Sequence, residues 1–239
     1  MFKPAAISFL RSIEKNNDRA WFVANKPKFV ALLHEPMVEL LLKMQKRLTP
    51  TLADYQFDPK RAMYRIYRDT RFSKDKTPLK THYGFQIQHP GVTKNLGAGF
   101  YFHLGAKELA IGGGIYMPSA EELLALRLGF VRDEAKVRTM IREKKLTKAM
   151  GPAQGDSAVR VPRLLEGAPP GTHDLVRRKQ IFFYQELSPK IGTEPGLDRL
   201  LFERFKLMSP LVEWVNHTLI AAVRGREDDR APKRPEPMF

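Results

Sequence analysis

Two segments near the middle of the chain place aromatic or aliphatic residues at every second position. In Tyr83-Gly-Phe-Gln-Ile-Gln88, Tyr83, Phe85 and Ile87 fall on one side and Gly84, Gln86 and Gln88 on the other. In Phe100-Tyr-Phe-His-Leu104, Phe100, Phe102 and Leu104 oppose Tyr101 and His103. A period of two marks a strand buried on one face, because successive side chains leave opposite sides of a pleated sheet. Glu108-Leu-Ala-Ile111 follows closely enough to be a hairpin partner for 100–104. Ala62–Arg68 and Ile181–Tyr184 offer further strands rich in aromatic and β-branched types. The expected sheet is mainly antiparallel, with one apolar face and a second face presenting Gln86, Gln88, Tyr101 and His103.

Helical spacing brackets this strand cluster. Ile7, Phe9, Leu10 and Ile13 form one apolar stripe, and Asn16-Asn17-Asp18 supplies side-chain oxygens that can end one helix and cap the next. A short helix then carries Trp21 and Phe22. Pro27 suits the first turn of a longer one bearing Phe29, Leu33, Leu41 and Met44, with a kink at Pro36. Gly112-Gly-Gly114 reads as a tight turn that ends a strand, and Ser119 with Glu122 forms a capping box for a helix running to about Val131. Asp133 is positioned to cap a helix carrying Val137, Met140 and Ile141. After a Pro/Gly-rich stretch between 151 and 171, two helices are expected at 197–207 and 210–223, with Pro210 opening the second. Helices segregated before and after the strands predict one α+β domain over 1–224: a central, mainly antiparallel sheet with N-terminal and C-terminal helices packed on one face. Residues 225–239 are expected to form a disordered tail.

Charge localises the functional question. The chain has 41 Lys+Arg against 26 Asp+Glu, a formal charge of +15, and residues 61–82 alone hold seven basic and two acidic side chains. Cysteine is absent, which excludes a disulfide framework, cysteine-ligated zinc, iron–sulfur ligation and a thiol nucleophile. With no segment near the roughly 18 apolar residues of a membrane span, a cytoplasmic protein with no membrane partner is expected. The surplus of cations suits a phosphate, a carboxylate or a nucleic-acid backbone. Arg65, Arg68, Arg71, Lys76 and Lys80 are the candidates to bind a small anionic ligand, with Asp69 among them and Gln86, Tyr101 and His103 orienting the remainder. Two alternatives stand beside this reading. The same cations, joined by the basic stretch 136–148, could bind nucleic acid; or Asp69 and Asp75 could pair them into an internal network that fixes the loop. His103 beside Tyr101 also suits acid–base work. No motif spacing links His82, His89, His103 and Glu108, so neither a metal nor a cofactor is expected.

Asn16-Asn17 with Trp21-Phe22, the run Arg65-x-x-Arg68-Asp69-x-Arg71-Phe72-Ser73-x-Asp75-Lys76-x-Pro78-x-Lys80-x-His82, and Gly112-Gly-Gly-x-Tyr116-x-Pro118 occur in this order. Together they resemble a widespread family of bacterial and fungal proteins catalogued as a domain of unknown function. The resemblance spans roughly residues 4–223. It departs at Leu79, where the family usually has Tyr, and at Val161–Leu165, which stands in place of a Pro-Lys-Gly-aromatic segment. It implies no activity, cofactor or site residue, so the reading of the site rests on the residues themselves.

Overall fold

The computed structural model describes residues 2–230 other than 56, 72 and 93–96. Helix α1 (Pro4–Lys15) starts on a proline and buries Ala6, Ile7, Phe9, Leu10 and Ile13 along the stripe read from the sequence. Asp18 caps α2 (Arg19–Phe29), its carboxylate accepting from Trp21 N–H at 2.9 Å. Pro27 lies inside α2 and does not open a new helix. A π-helical turn, Val30–His34, carries α2 without a break into α3 (Glu35–Leu48). Pro36 explains the turn, since a proline cannot donate to the preceding turn and crowds it; widening the helix just before Pro36 relieves both problems.

Four strands form an antiparallel meander in chain order: β1 (His82–Gln88), β2 (Gly99–Gly105), β3 (Leu109–Ile115) and β4 (Ile181–Leu187). The register aligns Phe85 with Phe102 and Ile111, and Ile87 with Phe100, Gly113 and Phe183, so one face is continuously apolar. Helices α1 and α3 pack on it, together with the long C-terminal helix α9 (Leu197–Arg230). A short α4 (Pro59–Ala62) precedes the sheet. Helices α5 (Ala120–Arg132), α6 (Glu134–Ile141), α7 (Lys144–Met150) and α8 (His173–Val176) lie between β3 and β4 in the chain. Of these, α5, α6 and α7 pack against α9, where Phe130 stacks on Trp214 at 5.5 Å. Ser119 and Glu122 form the expected capping box. Asp133 provides no side-chain cap for α6; its carboxylate instead accepts from the Trp214 indole N–H at 2.8 Å.

Further expectations change. Residues 62–68 make isolated bridges, Met63 opposite Phe85 and Tyr67 opposite Leu79, and no strand; Pro78 in the facing segment has no N–H with which to extend a ladder. Gly112–Gly114 lie within β3 and do not end it. Pro210 sits inside α9, not between two helices, and the Lys206 carbonyl that it cannot serve accepts from the Ser209 hydroxyl at 2.9 Å. Helix α9 also continues through residues 225–230, which the sequence reading placed in a tail; 231–239 lie outside the described residues. No described helix is long and apolar enough to cross a membrane.

Asn216, fully buried on α9, ties that helix to the sheet. Its carbonyl accepts from Ala98 N–H at 2.9 Å, and its amide donates to Ala98 C=O at 3.1 Å and to the Tyr55 hydroxyl at 3.0 Å. Asn216→Leu keeps the branching at Cγ and strands these groups without partners. Each unsatisfied buried group costs roughly 1–3 kcal/mol, so urea denaturation of this variant should show a loss of about 3 kcal/mol.

Candidate functional site

The sheet's second face holds a groove of about 660 Å³. Its floor follows from the register. Gln86, Tyr101, Gly112 and Tyr184 share one row across the strands, and Gln88, Gly99, Gly114 and Phe182 share the next. Gly99, Gly112 and Gly114 carry no side chains, so the backbone lies bare between tall aromatic neighbours. Gly114 has φ of +129°, a conformation that glycine adopts freely. Gln154 is fastened alongside, its backbone paired with Phe182 and its amide donating to Tyr184 C=O at 2.7 Å. Tyr116 packs edge-on against Phe182 at 5.2 Å and, with Met117, forms an exposed apolar rim.

The opposite wall is Tyr64, whose hydroxyl donates to the Gln86 side-chain carbonyl and whose ring meets Tyr101 edge-on at 5.9 Å. The Lys80 ammonium lies 4.9 Å from the Tyr64 ring centroid. Burial, then the nearby Arg65, lowers the Lys80 pKa, and no carboxylate pairs with it among the described residues. Burial pushes Tyr64 up to about 12 and raises Tyr101 further, so both phenols stay protonated at neutral pH, the Tyr64 proton being committed to Gln86.

One step along the sheet, Tyr101 Oη and His103 Nδ1 are 2.8 Å apart, and His103 Nε2 lies 3.1 Å from Glu108 Oε1. His103 is only 5% exposed, and the His82 ring lies 4.6 Å away, centroid to centroid. Burial depresses both imidazoles to about 4. At neutral pH both are uncharged, and the His103–Glu108 contact is a hydrogen bond, not an ion pair. His89 is elsewhere, against Tyr55 at 5.4 Å.

The charged run does not converge on this groove. Arg68 bonds Asp75 and Thr77, and Arg71 grips Asp69 through Nε at 3.0 Å and Nη2 at 2.8 Å. Lys76 donates to the Thr70 carbonyl at 2.9 Å. Arg65 is solvent-exposed, and Phe72 lies outside the described residues. Asn17, read as a helix cap, instead clamps the end of the run: its amide donates to Leu79 C=O at 3.0 Å, and its carbonyl accepts from Leu79 N–H at 2.9 Å. Of the nine expected site residues, Gln86, Tyr101, His103 and Lys80 are therefore brought together. Arg68, Asp69, Arg71 and Lys76 belong to a separate, self-paired loop. In the basic stretch 136–148, Arg138 is likewise engaged, by Glu134 at 2.9 Å and Asp174 at 2.7 Å. A shallower hollow lined by Arg11, Lys15 and Lys190 contains none of the expected residues. Sequence reasoning missed Tyr64, Gly99, Gln154, Phe182 and Tyr184. Glycines set among alternating aromatics were the available signal for the floor, and nothing marked Gln154.

The chain belongs to the family described as conserved hypothetical protein (DUF2461), whose model matches residues 5–214. No curated protein and no solved structure matches it.

The loop pairing has a pH signature. Hydrogen bonds from Arg71 hold Asp69, and from Arg68 then Thr77 hold Asp75, at about 2, below the ordinary 3.8. Folded values below the unfolded one mean that the pairs contribute above the unfolded pKa and are lost as pH falls through about 2. The side-chain carboxyl carbon resonances of Asp69 and Asp75 should titrate there, whereas an inflection near 3.8 would show the pairs unformed in solution.

Proposed function

We propose that this chain is a cytoplasmic protein that binds a small anionic organic molecule in the glycine-floored groove. A planar or ring-shaped part lies over Gly99, Gly112 and Gly114, between Tyr101, Tyr184 and Phe182, and a phosphate or carboxylate meets Lys80 beside Tyr64. The observation that carries this reading is the bare floor: three glycines side by side on neighbouring strands leave room where side chains would otherwise fill the face. Aromatic walls favour stacking on a flat ligand, and the Tyr64, Gln86 and Gln154 polar groups fix its orientation. Lys80 is half-buried and has no carboxylate partner among the described residues, so an incoming anion finds an uncompensated charge in a partly desolvated place. In the His103 tautomer with the proton on Nδ1, the Tyr101 oxygen accepts from the imidazole and its own proton is turned toward the bound molecule. Such a group can donate a hydrogen bond, and it is where acid–base chemistry would begin if the ligand is turned over. The nucleic-acid alternative draws less support, because Arg68, Arg71 and Arg138 already hold carboxylates.

The test is thermal stability against phosphates, nucleotides, sugar phosphates, organic acids and a short oligonucleotide, at low and moderate salt. A ligand at a hundredfold excess over its Kd adds about 2.7 kcal/mol of stability. A salt-resistant rise with a small anion is expected, at least tenfold weaker in Lys80→Met and in Tyr184→Ala. A rise with the oligonucleotide alone that vanishes at moderate salt, or a small-anion effect unchanged in both variants, would overturn the proposal.

A further inference from the structure

At the end of the groove the fold assembles three side chains that no sequence spacing connects. His82 begins β1, His103 lies in β2, and Glu108 stands in the turn before β3. The antiparallel register joins them, pairing His82 with Gly105 and Leu104 with Leu109. One ligand atom from each lies within 4.8 Å of the other two. We propose that His82, His103 and Glu108 form a binding site for one divalent first-row transition-metal ion, a property separate from the groove's capacity to hold an organic ligand.

The spacing fits an ion. Nitrogen and oxygen donors sit roughly 2.0–2.2 Å from such a metal, which places adjacent donors about 3–4 Å apart. His103 Nε2 and Glu108 Oε1 are already 3.1 Å apart, and the two rings are 4.6 Å apart at an interplanar angle of 31°. Ion binding then requires His82 and Glu108 to draw in from the 4.8 Å within which the three donor atoms lie. A Cβ on Gly84 would overlap the Phe102 carbonyl oxygen and lie 2.7 Å from the His103 Cβ, so the close approach of β1 to β2 beside the imidazole requires glycine there. One on Gly105 would lie 2.5 Å from Glu108 Oε1 and 2.9 Å from the Glu108 carbonyl oxygen, in the tight hairpin over which the carboxylate folds back.

The outer partner is also in place. The Tyr101 hydroxyl, 2.8 Å from His103 Nδ1, can accept that nitrogen's proton in a hydrogen bond and leave Nε2 free for an ion. Metal-bound imidazoles are characteristically held by such a second contact. Two imidazoles and one carboxylate suit zinc, iron(II), cobalt(II) or manganese(II), and not calcium or magnesium, which take oxygen donors. Three protein donors leave coordination positions for water. Glu186, in the same row as His103, adds negative charge nearby, while Lys80, two residues before His82, opposes it.

Cobalt(II) is the probe, titrated into chelator-treated protein and followed by visible absorption and by metal content after dialysis. One ion per chain is expected, with competition by zinc. His82→Ala and Glu108→Gln should each weaken binding at least a hundredfold, and Tyr101→Phe about tenfold. His89→Ala, remote from the cluster, should leave it unchanged. Glu108→Gln retains the shape of the side chain, and circular dichroism is the check that it folds. Lys80→Met should still take up the ion, which separates this proposal from the fate of the groove ligand. Absence of bound cobalt at micromolar concentrations, or uptake unaltered in both His82→Ala and Glu108→Gln, would overturn it.

Discussion

β3 has to satisfy opposite demands on its two faces, and its three consecutive glycines are how it does so. Gly113 points toward α9, where a Cβ would come within 2.9 Å of Met208 Sδ. Because side chains alternate along a strand, Gly112 and Gly114 point the other way and form part of the groove floor. A side chain at 113 crowds Met208 on α9, and one at 112 or 114 intrudes on the groove floor. The seating of α9 in turn brings Phe205 and Met208 onto the apolar face and Asn216 to Ala98. Core and groove thus depend on the same short segment, and neither can be altered there without consequence for the other.

The strong positive charge of the chain is distributed on a different principle. Within 61–82, arginines and aspartates lie close enough in sequence to pair locally, and they do, in a loop open to solvent. Solvent and salt screen such pairs, so their main effect is on shape. They hold a turn whose far end Asn17 fastens at Leu79, and the next residue is Lys80. The paired charges therefore lead up to one lysine that stands half-buried against an aromatic ring. A cation held apart from carboxylates is worth more to an anionic ligand than several that are already neutralised.

Much of the fold was legible because its signals are local. Alternation at 83–88 and 100–104 identified two strands and assigned both faces correctly, and the Ser119–Glu122 box marked the start of α5. What escaped depends on partners distant in sequence. Pro210 normally ends or begins a helix, and only the Ser209 hydroxyl on the Lys206 carbonyl accounts for its place inside α9. The triple glycine resembled a turn because the reason for it, Met208 on one side and the aromatic walls on the other, lies far along the chain. The candidate site divides in the same way. Gln86, Tyr101 and His103 were evident from alternation alone, whereas Tyr64, Gln154 and Tyr184 reach the groove through bridges and register that local pattern does not encode. His82, His103 and Glu108 have no motif spacing because a sheet, and not a helical turn, sets their separation.

Tyr101 belongs to both parts of the second face. Its ring walls the groove, and its oxygen contacts His103 Nδ1. A phenol carries one proton, so its direction of donation matters. If the hydroxyl donates into the groove, its oxygen is left to accept from Nδ1–H, and the neutral imidazole then presents an unprotonated Nε2 toward His82 and Glu108. If the hydroxyl donates to Nδ1, the proton resides on Nε2 and faces the Glu108 carboxylate. A group bound in the groove that accepts from Tyr101 therefore selects one tautomer of His103 over the other. The two halves of the face are coupled by the polarity of a single hydrogen bond, and no movement of the backbone is required.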